Sequence, residues 1–127
     1  MPPTLANGKI CYVEVPAIDP RRSAGFYEAV FGWSIRRRGD GSTAFDDTTG
    51  QVSGAFVTGR PPQVEPGLML YVMVADASAI LERVVANGGA VAQPIHPGSP
   101  EIVARFRDPA GNVVGIYQER ALVDAPR

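Results

Sequence analysis

Two stretches of this chain repeat one another, and that repetition limits what it can fold into. In the first, Lys9-Ile10-Cys11-Tyr12-Val13-Glu14-Val15 is β-branched and aromatic and reads as a strand. Asp19-Pro20 then supplies an N-cap and a proline at the first helical position, where its missing N–H costs nothing. Ala24, Tyr27, Val30 and Phe31 recur at helical spacing until Gly32 stops the helix. In the second stretch, residues 68–74 read as a strand and Asp76 as an N-cap. Ala77, Ile80, Leu81, Val84 and Val85 form an apolar stripe that Asn87-Gly88-Gly89 ends. The two capping aspartates lie 57 positions apart, which suggests an internal duplication. Three short strands are predicted after each helix: 33–38, 42–46 and 51–58, then 90–93, 102–106 and 112–118. The pattern is βαβββ twice.

The chain has 127 residues, the length of one ordinary domain, enough to bury a core without disulfides or metal. Residues 8–60 make the first module, the proline-rich 61–66 a linker and 67–119 the second module of a single domain spanning 1–127. Apolar residues at 45% and charged residues at 20% exclude a disordered chain. A net charge of -1 gives no global pull toward nucleic acid or an anionic membrane. Arg36-Arg37-Arg38 is a basic run, but no aromatics interleave with it, so it reads as a solvated strand end. The one cysteine, Cys11, excludes an intrachain disulfide and a cysteine-built zinc site. Strand alternation puts it on the helix-facing side, as an inert core residue. The first residues lack the basic start and apolar stretch of a signal peptide. The apolar run 68–77 is interrupted by Asp76 and too short to cross a bilayer. A soluble, cytoplasmic protein is expected, with no nucleic-acid or membrane partner.

Two βαβββ units predict an α+β fold: one curved mixed sheet, helices on its convex face and a concave cleft free for a ligand. Several fragments then carry a resemblance. They are Phe26-Tyr27, Phe31-Gly32-Trp33, Asp76 with Asn87-Gly88-Gly89, and the closing Phe106-Arg107-Asp108-Pro109-Ala110-Gly111-Asn112. In this order and spacing the chain resembles the vicinal oxygen chelate (glyoxalase/bleomycin resistance/extradiol dioxygenase) superfamily over residues 8–119. Gly115-Ile116-Tyr117-Gln118 is most similar to its lactoylglutathione-lyase-like branch.

That resemblance implies a divalent metal held on the concave face by residues of the first, fourth, fifth and eighth strands, typically His or Gln, Glu, His and Glu. The corresponding positions here are Tyr12, Gly54 or Phe56, Leu70 and Gly115. Leucine and glycine side chains cannot ligate a metal, and neutral tyrosine is a poor ligand for a borderline ion. The expectation is therefore a member that lacks the metal ligands and uses no cofactor.

Other residues take their interest from position. Glu14 shares a strand face with Tyr12 and would point into the cleft, as a general base or a partner for a cationic group; its bland alternative is a carboxylate paired with an arginine. Gly115 either leaves room for a bulky ligand or permits close packing between strands. Tyr12, Phe56 and Tyr117 are candidate aromatic walls for a flat organic molecule, or else core. Arg105 and Arg107 flank Phe106, whose apolar ring claims the helix side, so both arginines face the cleft or its rim. Arg105 could there pair with Glu14 or hold a carboxylate or phosphate. His96 lies in a turn-rich loop and reads as exposed, while Asp108-Pro109-Ala110-Gly111 reads as a structural turn.

The function expected is metal-independent binding of an organic ligand by Tyr12, Glu14, Phe56, Leu70, Arg105, Gly115 and Tyr117. A metal-free enzyme with Glu14 as its base is the alternative, and a metal-dependent lyase or dioxygenase is disfavoured by the missing ligands. The resemblance also implies a homodimer in which the partner subunit completes the cleft.

Overall fold

A computed structural model describes residues 2–122. The elements run β1 (Tyr12–Pro16), α1 (Pro20–Phe31), β2 (Ser34–Arg37), β3 (Thr43–Asp46), β4 (Ser53–Val57), β5 (Tyr71–Val74), α2 (Ala77–Ala86), β6 (Ala90–Gln93), β7 (Val103–Arg107) and β8 (Val113–Gln118). The expected βαβββ repeat is therefore present in both halves.

Hydrogen bonding corrects one detail. In place of one continuous ladder there are two four-stranded sheets, ordered β1-β4-β3-β2 and β5-β8-β7-β6. Each is mixed. The crossover through a helix makes β1–β4 and β5–β8 parallel, and the short hairpins make the remaining pairs antiparallel. Strands β1 and β5 each have a neighbour on one side only.

Both helices start as their sequences dictate. The Asp19 carboxylate accepts from the backbone N–H groups of Arg21 and Arg22, and that of Asp76 from Ala79. Gly32 closes α1 in the left-handed conformation at φ 76°, where a side chain would be strained. Each helix lays its apolar stripe on its own sheet, and the helices touch each other, so the halves share one core. Aromatics fill its centre: the Tyr27 ring stacks on Trp33 at 4.8 Å and on Phe56 at 5.6 Å between centroids. Phe106 of the second half packs against Phe26, Tyr27 and Phe31 of the first.

The Asp108–Asn112 turn locks the halves together. Asp108 is buried; its Oδ1 accepts from the N–H groups of Ala110 and Asn112, shaping the turn. Its Oδ2 accepts from the Tyr27 hydroxyl at 2.8 Å and from Asn112 Nδ2. Asn112 Nδ2 also donates to the carbonyl of Pro16 at the end of β1. Its Oδ1 accepts from the N–H of Gln63 in the linker, and the Gln63 carbonyl accepts from Val113 N–H. Burial and the adjacent Asp108 carboxylate hold the Tyr27 phenol well above its ordinary pKa of 10.0.

Candidate functional site

Each sheet turns one face to the helices and leaves the other open. On β1, Val13 and Val15 face inward, so Tyr12 and Glu14 face out. Strand register extends this outer face in two rows: Tyr12, Ser53, Asp46 and Ser34, then Glu14, Ala55, Ala44 and Arg36. Long polar side chains pair across it. Arg36 donates twice to the Asp46 carboxylate, at 2.8 and 2.9 Å, and Ser53 Oγ donates to the same group at 2.6 Å. Those hydrogen bonds, Arg36 first, hold the Asp46 carboxyl below its usual pKa. Arg38 Nη2 donates to the Tyr12 hydroxyl at 2.6 Å, and its guanidinium lies 5.5 Å from the ring centroid, so two interactions pin one side chain. Arg60 Nη2 meets Glu14 Oε1 at 2.7 Å, both side chains half exposed.

The outer face of the second sheet follows the same parity. Ala104, Phe106, Val114 and Ile116 face the helices, leaving Arg105, Arg107, Val113, Gly115 and Tyr117 outside. Tyr71 pairs with Gly115 across β5 and β8. A Cβ on Gly115 would lie 2.5 Å from the Tyr71 ring, so that ring occupies the space the missing side chain leaves. A cavity of about 370 Å³ opens where this face meets the linker, with Arg105, Arg107, Gln93 and residues 64–66 in its walls.

Several expectations change as a result. Phe56 is in the core, stacked on Tyr27, because Val15 opposes it in the ladder and both side chains point to α1. Leu70 lies one residue ahead of β5, out of step with the face that carries Tyr71 and Met73. Cys11 is exposed rather than buried, since it precedes β1 and lies beyond the end of the core. Glu14 meets Arg60 and not Arg105, so the fold brings Tyr12 and Glu14 together on one sheet and Arg105, Gly115 and Tyr117 on the other. His96 is exposed. Arg38, expected only as part of a solvated basic run, holds Tyr12, and the sequence gives no sign of the roles of Arg60 and Tyr71. Their roles depend on pairs between distant segments, although the even spacing of Arg36 in β2 and Arg38 just beyond it is a usable signal. Among the described residues, no three His, Cys, Asp or Glu side chains gather in a way that could hold a metal ion.

The glyoxalase/bleomycin resistance protein/dioxygenase family model matches residues 9–116. The chain belongs to that superfamily. It is similar to CFP32 of Mycobacterium bovis, a protein carrying a glyoxylase name, 26% identical over 122 residues that cover 90% of this chain. The chain spans only 47% of that relative's length. Among similar solved structures, TnmS3, an antibiotic binding protein from Streptomyces sp. CB03234, is 25% identical with a TM-score of 0.66, the match covering 91% of this chain and 98% of that one. The fosfomycin resistance protein FosX from Listeria monocytogenes has a TM-score of 0.73 at 14% identity, over 91% and 93% of the two chains, a likeness of fold. No helix among the described residues is long and apolar enough to cross a membrane.

Proposed function

We propose that this protein is a metal-independent small-molecule-binding member of its superfamily, acting in the cytoplasm as a homodimer. The organic ligand lies in a concave cleft built from the outer faces of the two sheets. The observation that carries this reading is the character of those faces: exposed aromatic rings beside placed polar groups. Arg38 pins Tyr12, and Tyr71 lies on Gly115. Such surfaces suit flat organic molecules, with rings supplying area and a few polar atoms supplying orientation. The likeness to an antibiotic binding protein favours the same class of ligand.

The residues at the four metal positions do not fit a divalent ion. The Tyr12 hydroxyl already accepts a hydrogen bond from Arg38, Gly54 has no side chain and Phe56 is core, Leu70 is apolar, and Gly115 lies beneath the Tyr71 ring. No chemical step is therefore routed through a metal. Support for the dimer comes from the open edges of β1 and β5 and from the apolar residues exposed along β5, Tyr71 at 49% and Met73 at 59%.

Protein purified without added metal should carry far less than one zinc, nickel, iron or manganese per chain by elemental analysis. Its ligand affinity should be unchanged by a chelator. Stoichiometric metal whose removal abolishes binding would overturn the reading. Proton transfer by Glu14 is the second reading, favoured by its exposed carboxylate on the same face as Tyr12. In that case Glu14→Gln abolishes a turnover while leaving ligand affinity intact.

A further inference from the structure

Among the described residues, two arginines on one face of one strand have no side-chain partner. Arg105 and Arg107 alternate with the core residue Phe106 on β7, which places their Cα atoms about 6.6 Å apart with both side chains outward. Among the described residues neither guanidinium has a hydrogen-bond or ion-pair partner, whereas Arg36, Arg38 and Arg60 are all engaged. Two neighbouring guanidinium charges repel each other, and an anion between them offsets that repulsion.

The surroundings place the pair in a shallow, partly walled depression of about 370 Å³ that is largely open to solvent. An irregularity in the β6–β7 ladder between Val91 and Gln93 brings Gln93 opposite Arg105, adding an amide donor and acceptor to the wall. Val113 of β8, opposite Arg107, gives an apolar floor, and Val64 and Pro66 of the linker close one side. The linker is tied down at Gln63, whose N–H meets Asn112 and whose carbonyl meets Val113 N–H, so this wall is fixed next to the turn. Glu65 also lines the cavity, leaving two positive charges against one negative.

We propose that Arg105 and Arg107 form the anion-recognising end of the cleft, so that the ligand is an organic acid. Its carboxylate, or a phosphate-type group, is held by the paired guanidiniums, and its apolar body lies along Val113 toward Tyr117. This rests on the small-molecule reading above and specifies the ligand's chemistry. Guanidiniums hold such groups through paired, charge-assisted hydrogen bonds that an uncharged isostere cannot make.

The test is isothermal titration calorimetry in low salt with 2-naphthoate, 2-naphthylphosphonate and the uncharged 2-naphthamide. Each is titrated into wild type, the R105Q/R107Q double variant and the charge-matched R21Q/R83Q control. Wild type and the control bind at least one of the two acids roughly tenfold or more tighter than the amide. The acid preferred tells carboxylate from phosphate-type recognition. In R105Q/R107Q that preference disappears while amide affinity is unchanged. Equal binding of acids and amide by wild type overturns the proposal, as does a preference that survives in R105Q/R107Q. The wild-type comparison decides the first point even if the double variant does not fold. Failure of all three probes to bind would sink the small-molecule reading and this proposal with it, whereas binding without acid preference sinks the anion assignment alone.

Discussion

Gly54 in β4 and Gly115 in β8 both leave no room for a Cβ, but Gly54 faces the core and Gly115 the outer face, and their neighbours differ in how readily they can move. A Cβ on Gly115 would strike the half-exposed Tyr71 ring, which can swing into solvent. A Cβ on Gly54 would meet the backbone carbonyl of Val13 and the buried ring of Phe45, neither of which has room to yield. Gly115→Ala should therefore cost under about 1 kcal/mol and Gly54→Ala about 3 kcal/mol, as overpacking a core does, measured by urea unfolding. A second residue-scale expectation concerns Tyr27. Its phenol is held neutral above its ordinary pKa of 10.0 by burial and by Asp108, while the unfolded chain ionises normally. The folded state then binds the extra proton, so the contribution is whole below pH 10.0 and is lost as pH rises from there toward the raised folded value. Tyr27→Phe removes this alkaline loss, and in wild type the Tyr27 phenolate absorbance should appear together with unfolding. A Tyr27 signal that titrates while the far-ultraviolet spectrum stays native would contradict it.

At the scale of elements, the β7–β8 turn does more than reverse the chain. Asn112 bonds to Asp108, to the end of β1 and to the linker, so one buried side chain joins three segments. Asn112→Ala should cost about 3 kcal/mol, since buried partners lose hydrogen bonds, including one to a charged group. Hydrogen exchange should accelerate at Gln63 N–H first. An unchanged rate there would mean that the linker is held by something else. The turn was legible in the sequence as a turn because Asp-Pro and Gly-Asn have strong local preferences. Its partners Tyr27 and Pro16 were not, being 81 and 96 positions away. The same physics separates the other successes from the misses. Helix caps at Asp19 and Asp76, and the period of two in β1, β7 and β8, are local and were read correctly. Phe56 was misassigned because the hairpins before it left the register of β4 open, and one step of register turns a strand residue to the opposite face. Leu70 was misplaced for the same reason at the start of β5. The Glu14–Arg60 pair joins β1 to the chain just beyond β4, a pairing that composition and spacing do not encode.

For the molecule as a whole, the two outer faces pose a problem of enclosure. A small-molecule site buries most of its ligand, about 70–90% of the ligand's surface. In one chain the faces bearing Tyr12 and Tyr71 belong to separate sheets joined through their helix-facing sides, and both are open to solvent. A second copy placing its first sheet over the Tyr71 face would supply the missing wall and cover Tyr71 and Met73 along the open strand β5. Assembly and ligand binding should then fail together. Met73→Asp puts a charge on that strand without touching the core, because Met73 is 59% exposed. The expected result by sedimentation is a shift from dimer to a folded monomer, with ligand affinity lowered by an order of magnitude or more as one wall is lost. A wild-type protein that sediments as a monomer at all concentrations, or a monomeric Met73→Asp that keeps full affinity, would place the entire site within one chain.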